Sequence, residues 1–353
     1  MRSRFGIAVA LIGVMAISLP NLLTAQAPPV HPPGWTVPRL ADGTPDFQGN
    51  WSNATMTPIL RAEGRPLVLD PDQVLAMEGR RQSLIEAEAQ PSDPDREAPP
   101  VGGDGSTGAA GGVGGYNYFF IDAGDRVAWY NGEPRGSLIT FPPDGQRPTL
   151  TEEGQRQARE RLAFTRQFGA YDNPENRPLS ERCIMSFGSN GGPPMLPNYF
   201  YNNNYTIVQT PDAIMIMTEM VHDVRIVQMG QPRRLPPHLR PWMGDSWGHW
   251  AGDTLVVETT NIRLDQWVFA GSAARFAPSE SVRVIERFTR PSDHQLNYEF
   301  TVEDPEILTT AIRGEMPFNR LDGLLYEYAC HEANYALENV LSGARSQERI
   351  EGR

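Results

Sequence analysis

The sequence is poor in cysteine and histidine, with two and six among 353 residues. Neither Cys183 nor Cys330 has neighbours at metal-ligand spacing, which excludes a cysteine-built zinc site. Basic residues are outnumbered, 31 Lys and Arg against 43 Asp and Glu, for a net charge of −12. A phosphate-binding surface needs the opposite balance, so nucleic acid is not an expected partner. The N-terminal apolar run, Phe5–Leu19, is short and stopped by Pro20, which argues against a permanent membrane span. A Gly-rich run at 102–115 lacks the strand before it and the helix after it that a phosphate loop requires. It reads as a linker. Gly244-Asp-Ser246 precedes a strand and not a strand-to-helix elbow, which argues against an α/β hydrolase.

What is abundant is equally directive. The chain holds 33 Gly and 32 Pro, a composition that favours many turns and short strands over long helices. Hydrophobic residues make up 39% and charged residues 21%, an ordinary globular balance.

The N-terminus has the layout of an export signal. Arg2 and Arg4 precede the apolar run, and Ala25-Gln26-Ala27 offers cleavage after Ala25 or Ala27. No cysteine lies near that site, so a lipid anchor is not expected. Residues 1–27 are therefore expected to be a signal peptide, residues 28–115 a Pro/Gly-rich arm with one helix and a mobile loop, and residues 116–353 a β domain. The expected location is the bacterial periplasm or the extracellular space. In an oxidising compartment an even pair of cysteines predicts a Cys183–Cys330 disulfide. Closing so long a loop is worth about 4–5 kcal/mol in the chain-entropy account.

Two helices are expected. One runs from Pro71 to about Ala89, with Asp70 as N-cap and Pro71 at the first helical position. The other runs from about Glu152 to Phe168, opened by a capping-box-like Thr149-Leu-Thr-Glu152 and stopped by Gly169. From Tyr205 onward the texture is that of successive strands: 205–210, 213–219, 224–229, 254–260, 282–288, 295–303, 310–318 and 325–330. Shorter strands are expected at 116–121, 127–130 and 137–141. The chain is expected to be mainly β, an antiparallel meander closing as an eight-stranded lipocalin-like barrel, with a β-sandwich as the rival geometry. A barrel of about eight strands can hold one small ligand.

The chain is organised around Pro241–Asn261. Gly252-Asp253 has the chemistry of a tight hairpin turn between Ser246–Trp250 and Thr254–Thr260. The motif Gly244-Asp-Ser-Trp-Gly-His-Trp-Ala-Gly-Asp-Thr-Leu-Val-Val-Glu-Thr-Thr-Asn261 resembles a widespread family of uncharacterised exported bacterial β-rich proteins. Glu286-Arg-Phe-Thr-Arg290, Tyr298-Glu-Phe-Thr-Val-Glu-Asp-Pro305 and Glu327-Tyr-Ala-Cys-His-Glu-Ala-Asn-Tyr335 carry the same resemblance. Upstream, Ser137-Leu-Ile139, Pro142-Pro-Asp-Gly145 and Tyr201-Asn-Asn-Asn-Tyr205 extend it over most of the chain. It implies an exported β-rich architecture and no reaction. Trp247 stands where the resemblance implies a smaller or basic residue.

The candidate chemistry is acid/base. His31, His238 and His294 fall in Pro-rich or turn segments and are set aside. His222 lies just before a strand, His249 in the central hairpin and His331 at the end of the last strand. Asp223, Asp245 and Glu332 are adjacent to them in sequence or near the same turns. An imidazole changes charge near neutrality, which suits a proton-transfer role. Alternation puts Val256 and Glu258 on one strand face, and Val284, Glu286 and Phe288 on another. A carboxylate on an inward face must be paired or protonated. The candidate catalytic residues are therefore His222, His249, His331, Glu258, Glu286 and Asp245. Arg225 is the candidate for an anionic substrate group, and Trp247, Trp250, Tyr298 and Tyr335 for a substrate-binding wall. No cofactor is expected. A divalent metal on convergent histidines is an option, although no His-x-His or His-x-x-x-His pair occurs.

The expected function is binding and transformation of a small organic molecule, as a lyase, isomerase or hydrolase. The rivals are a non-catalytic module that binds a small ligand or a cell-envelope glycan, and a structural envelope protein.

Overall fold

The computed structural model describes residues 31–88, 95 and 121–352. The expected signal peptide, the Gly-rich stretch and all but the last residue of the strand at 116–121 lie outside them.

Nine strands close into a barrel: β1 (Gly49–Ser52), β5 (Asn204–Gln209), β6 (Ala213–Thr218), β7 (Val224–Met229), β8 (Asp245–Ala251), β9 (Thr254–Thr260), β10 (Arg283–Ser292), β11 (Gln295–Glu303) and β12 (Ile312–Arg320). β12 returns to β1, with Trp51 opposite Arg320 and Ser52 opposite Asn319. β4 (Ile139–Phe141) adds to β12 outside the ring. β2 (Trp129–Tyr130) and β3 (Glu133–Pro134) form a separate two-stranded ribbon.

The barrel form is as expected, while the count of eight, the fully antiparallel order and the sandwich alternative are corrected. Strand β1 is the four-residue piece that closes the ring, and its Trp51 is fully buried. The expected strand at 325–330 does not form. With the ring closed there is no free barrel edge for it to join. Instead it is held by a disulfide and by contacts to the turn between β6 and β7. Strands β7 and β8 are parallel, with Val227 opposite Ser246. A parallel pair cannot be joined by a tight turn, so residues 230–244 run back along the outside of the barrel. Asp245 anchors this crossover by accepting from the Leu235 amide at 2.8 Å.

The remaining strand joints follow local chemistry. The β8–β9 hairpin turns at Gly252-Asp253, with Gly252 at φ 63°, a backbone region that favours glycine. The β9 run Thr-Leu-Val-Val-Glu-Thr-Thr is largely β-branched and matches its expected range.

The barrel interior is filled. Tyr298 sits 5.0 Å from Phe288, 5.3 Å from Phe318 and 6.0 Å from Phe300 between ring centroids. The lipocalin-like hollow is thereby corrected to a packed aromatic core.

Among the described residues three α-helices flank the barrel instead of two. Helix α1 (Pro71–Glu88) opens on a reciprocal cap: Asp70 Oδ1 accepts from the Gln73 amide at 2.8 Å, and Gln73 Oε1 from the Asp70 amide at 3.0 Å. Helix α2 (Glu152–Thr165) opens on Thr151, whose hydroxyl accepts from the Gly154 amide at 2.9 Å. The unexpected helix α3 (Ala336–Glu351) buries no residue. Its Arg345 donates to the carbonyls of Tyr171 and Asp172. Among the described residues no helix is long and apolar enough to cross a membrane.

Candidate functional site

The strand register brings the N-termini of β5, β7, β8, β10 and β12 to one end of the barrel. The β6–β7 turn and the segments 183–203 and 262–282 lie at that end. At this rim the disulfide Cys183–Cys330 ties the cap segment to the chain after β12.

The disulfide brings His331 beside His222, with ring centroids 6.3 Å apart. Both side chains are exposed. His222 Nδ1 lies 3.0 Å from the Tyr328 carbonyl oxygen. A carbonyl only accepts, so Nδ1 carries the hydrogen, and in the neutral ring Nε2 keeps its lone pair. The backbone beneath is strained. Val221 has φ 58° and His222 φ 48°, and a β-branched residue rarely enters this region. Cys183, Tyr199, Asn202 and Ala333 also take positive φ in the same cap and C-terminal segments. Such strain clusters at functional sites, at a cost of order 1–3 kcal/mol per residue.

Asp223 follows His222 and is buried. Burial pushes its carboxyl up to about 7, against the opposing pull of the Ser186 amide and of His222. Its Oδ2 is buried with no hydrogen-bond partner. That oxygen lies against Gly191, where a Cβ would come within 2.9 Å of it. Glu219, at the end of β6, is also buried, and its carboxylate accepts from Asn204 Nδ2 at 2.7 Å and from the Tyr326 amide at 3.1 Å. One residue beyond Ser186, Phe187 meets Tyr201 at 6.0 Å and Phe200 at 6.5 Å. Phe187 is 40% exposed, so the rim carries an aromatic surface close to Asp223.

The other candidates lie elsewhere. His249 is exposed on β8, opposite Val256 and near the β8–β9 turn at the far end of the barrel. On β9 the inward residues are Leu255, Val257 and Thr259, so Glu258 faces outward. There Arg234 and Arg283 hold it, Arg283 Nε at 2.9 Å. On β10 the phase is the reverse: Val284, Glu286 and Phe288 point in. Glu286 pairs with Arg225 through both Nη atoms, Nη2 at 2.9 Å. Tyr298 donates to the same carboxylate, and its oxygen accepts from the Met195 amide at 2.9 Å. Arg225, Glu286 and Tyr298 therefore form a buried network inside the barrel. Asp245 clamps the crossover. Trp247 is half-buried opposite Glu258, and Trp250 packs edge-on against Phe47 at 5.2 Å. Tyr335 is exposed at the start of α3.

The rim thus gathers His222 and His331 with Asp223, and not with Glu258 or Glu286. Phe187, Phe200 and Tyr201 were missed by sequence reasoning. Their signal was the Asn-rich run after Tyr201, because Asn tolerates the left-handed backbone that Asn202 adopts. Among the described residues no group of three or more His, Cys, Asp or Glu side chains is placed to hold a metal ion. No family model, curated protein or solved structure matches the chain.

Proposed function

We propose that this chain is an exported protein that binds a small organic molecule at the barrel rim and transforms it by acid/base chemistry, as a lyase, isomerase or hydrolase. The observation that carries the reading is Asp223, whose carboxyl is pushed up to about 7 by burial next to the exposed His222, itself 6.3 Å from His331 between ring centroids. A group that exchanges its proton near neutrality is matched to general acid or base work. His222 Nε2 supplies the acceptor, oriented through the Nδ1 bond to Tyr328. The protonated Asp223 supplies the donor, and Phe187 offers an apolar wall. The packed interior favours a rim site over a cavity inside the barrel.

The test is turnover of a panel of small esters, lactones and carbonyl acids by the folded protein, from about pH 5 to about pH 9. The expected result is a bell-shaped profile for at least one compound, with Asp223→Asn and His222→Gln each losing about a hundredfold or more. Turnover indifferent to both substitutions, or none across the panel, sinks the catalytic reading.

A second reading is a non-catalytic binding module for a small ligand or an envelope glycan. The exposed Phe187 at the rim favours it, since such a ring supplies stacking area without chemistry. Saturable binding at the rim without turnover is its signature. Export itself is tested by the intact mass of periplasmic protein, which should lack the residues up to Ala25 or Ala27.

A further inference from the structure

A concavity lies at the same end of the barrel as the rim, between α2 and the segments around Trp267, Phe276 and Ile307. Its volume is about 340 Å³, in the range of small-molecule sites. Leu150, Leu162 and Phe276 supply an apolar floor, and α2 comes in close because residue 154 is glycine. A Cβ there would lie 2.5 Å from the Ile307 carbonyl.

Three arginines line this apolar pocket: Arg147, Arg161 and Arg275. Among the described residues none of them makes an ion pair with a carboxylate. Arg147 Nη1 is held by the Arg275 carbonyl at 2.9 Å, and Arg161 Nη2 by the Leu264 carbonyl at 3.0 Å. These contacts fix the guanidinium groups without neutralising them. Asp265, whose charge feels Arg161, is bound by Arg263 through two hydrogen bonds of 2.8 and 2.9 Å. Arg161 and Arg275 lie 5.9 and 5.4 Å from the centroid of the Trp267 ring, and Trp267 is 41% exposed. Three cations without a salt bridge surround an exposed indole and an apolar floor on a chain of net charge −12. The chain contains no lysine, so each cation here is a planar fork suited to a carboxylate.

We propose that this pocket is a binding site for an aromatic carboxylate. The ring system lies on Trp267 and the apolar floor, and the carboxylate lies between Arg161 and Arg275 with Arg147 behind. None of its lining residues belongs to the His222, Asp223 and His331 group, and the proposal stands without that group.

The test is isothermal titration of the full chain with sodium naphthoate and with the neutral naphthylmethanol. Naphthoate should bind saturably at one site, and the alcohol about tenfold or more weakly, the scale of a charge-assisted hydrogen bond. Arg161→Gln and Arg275→Gln should each lose about tenfold for naphthoate and little for the alcohol. Arg156→Gln, on the solvent side of α2 and paired with Glu153 and Glu160, should leave affinity unchanged. Unchanged thermal midpoints keep the comparison to folded protein. Equal affinity for acid and alcohol, no saturable binding, or equal losses in Arg156→Gln and Arg275→Gln would overturn the proposal.

Discussion

Tyr298 donates its hydroxyl to Glu286 Oε1 at 2.7 Å, and both residues are fully buried in the barrel. The Arg225 fork completes the carboxylate from the other side. A buried pair of this kind offsets a large desolvation cost, and removing one partner leaves the other charge uncompensated. Glu286→Gln is therefore expected to lower stability by about 3–5 kcal/mol. Tyr298→Phe should cost about 1–3 kcal/mol, because the Met195 amide also loses its acceptor. The double change Arg225→Met with Glu286→Leu should be milder than Glu286→Gln alone. Urea unfolding of the four proteins decides this, and a double variant less stable than Glu286→Gln would refute it.

Asp223 predicts a pH dependence of stability. Its folded carboxyl lies at about 7, above the ordinary 3.8. Between those values the folded chain keeps a proton that the unfolded chain has released. Stability should therefore fall as pH rises from about 4 to about 7 and level off above, with this group contributing at most about 1.4 kcal/mol per pH unit. Asp223→Asn should remove that slope, match the parent near pH 4 and exceed it above pH 7. Denaturation midpoints across the range measure it, and parallel curves would contradict the assignment.

The Cys183–Cys330 bridge spans 147 positions. Its removal in a Cys183→Ser, Cys330→Ser protein should cost about 2–5 kcal/mol. The same change should separate His331 from His222, read as altered histidine ring resonances in an NMR spectrum. Protein unfolded without reductant should take up no thiol label; labelling at both cysteines would contradict the bridge.

Two glycines separate close packing from backbone freedom. A Cβ at Gly314 would meet Phe300 Cζ at 2.2 Å and the Leu138 carbonyl at 2.7 Å, where β12 passes between β11 and β4. Gly252 has open space but a φ of 63°. Gly314→Ala should cost more than about 2 kcal/mol through overpacking, against about 1–2 kcal/mol for Gly252→Ala. Thermal midpoints rank the two, and a larger loss for Gly252→Ala would reverse the reasoning.

Local chemistry by itself determined a good deal of this protein. The β-branched run of β9, the Gly252-Asp253 turn, the Asp70 cap of α1 and the pairing of two lone cysteines were legible because each depends on neighbours in the chain or on a choice with one outcome. The phase of alternation was not. Glu258 and Glu286 look alike on paper, yet one faces out to Arg234 and Arg283 and the other faces in to Arg225. A period of two says which residues share a face, and only packing says which face is inside. The ring also lay beyond local reading. Whether Gly49–Ser52 becomes its ninth member, and whether 325–330 is excluded, depends on which edges remain free after closure. The meeting of His222, Asp223 and His331 is of the same kind. No spacing in the chain encodes it, since it arises from a rim where the β6–β7 turn, the capping segment and a disulfide converge. The pKa of Asp223 follows from burial at that rim, which only the tertiary structure decided.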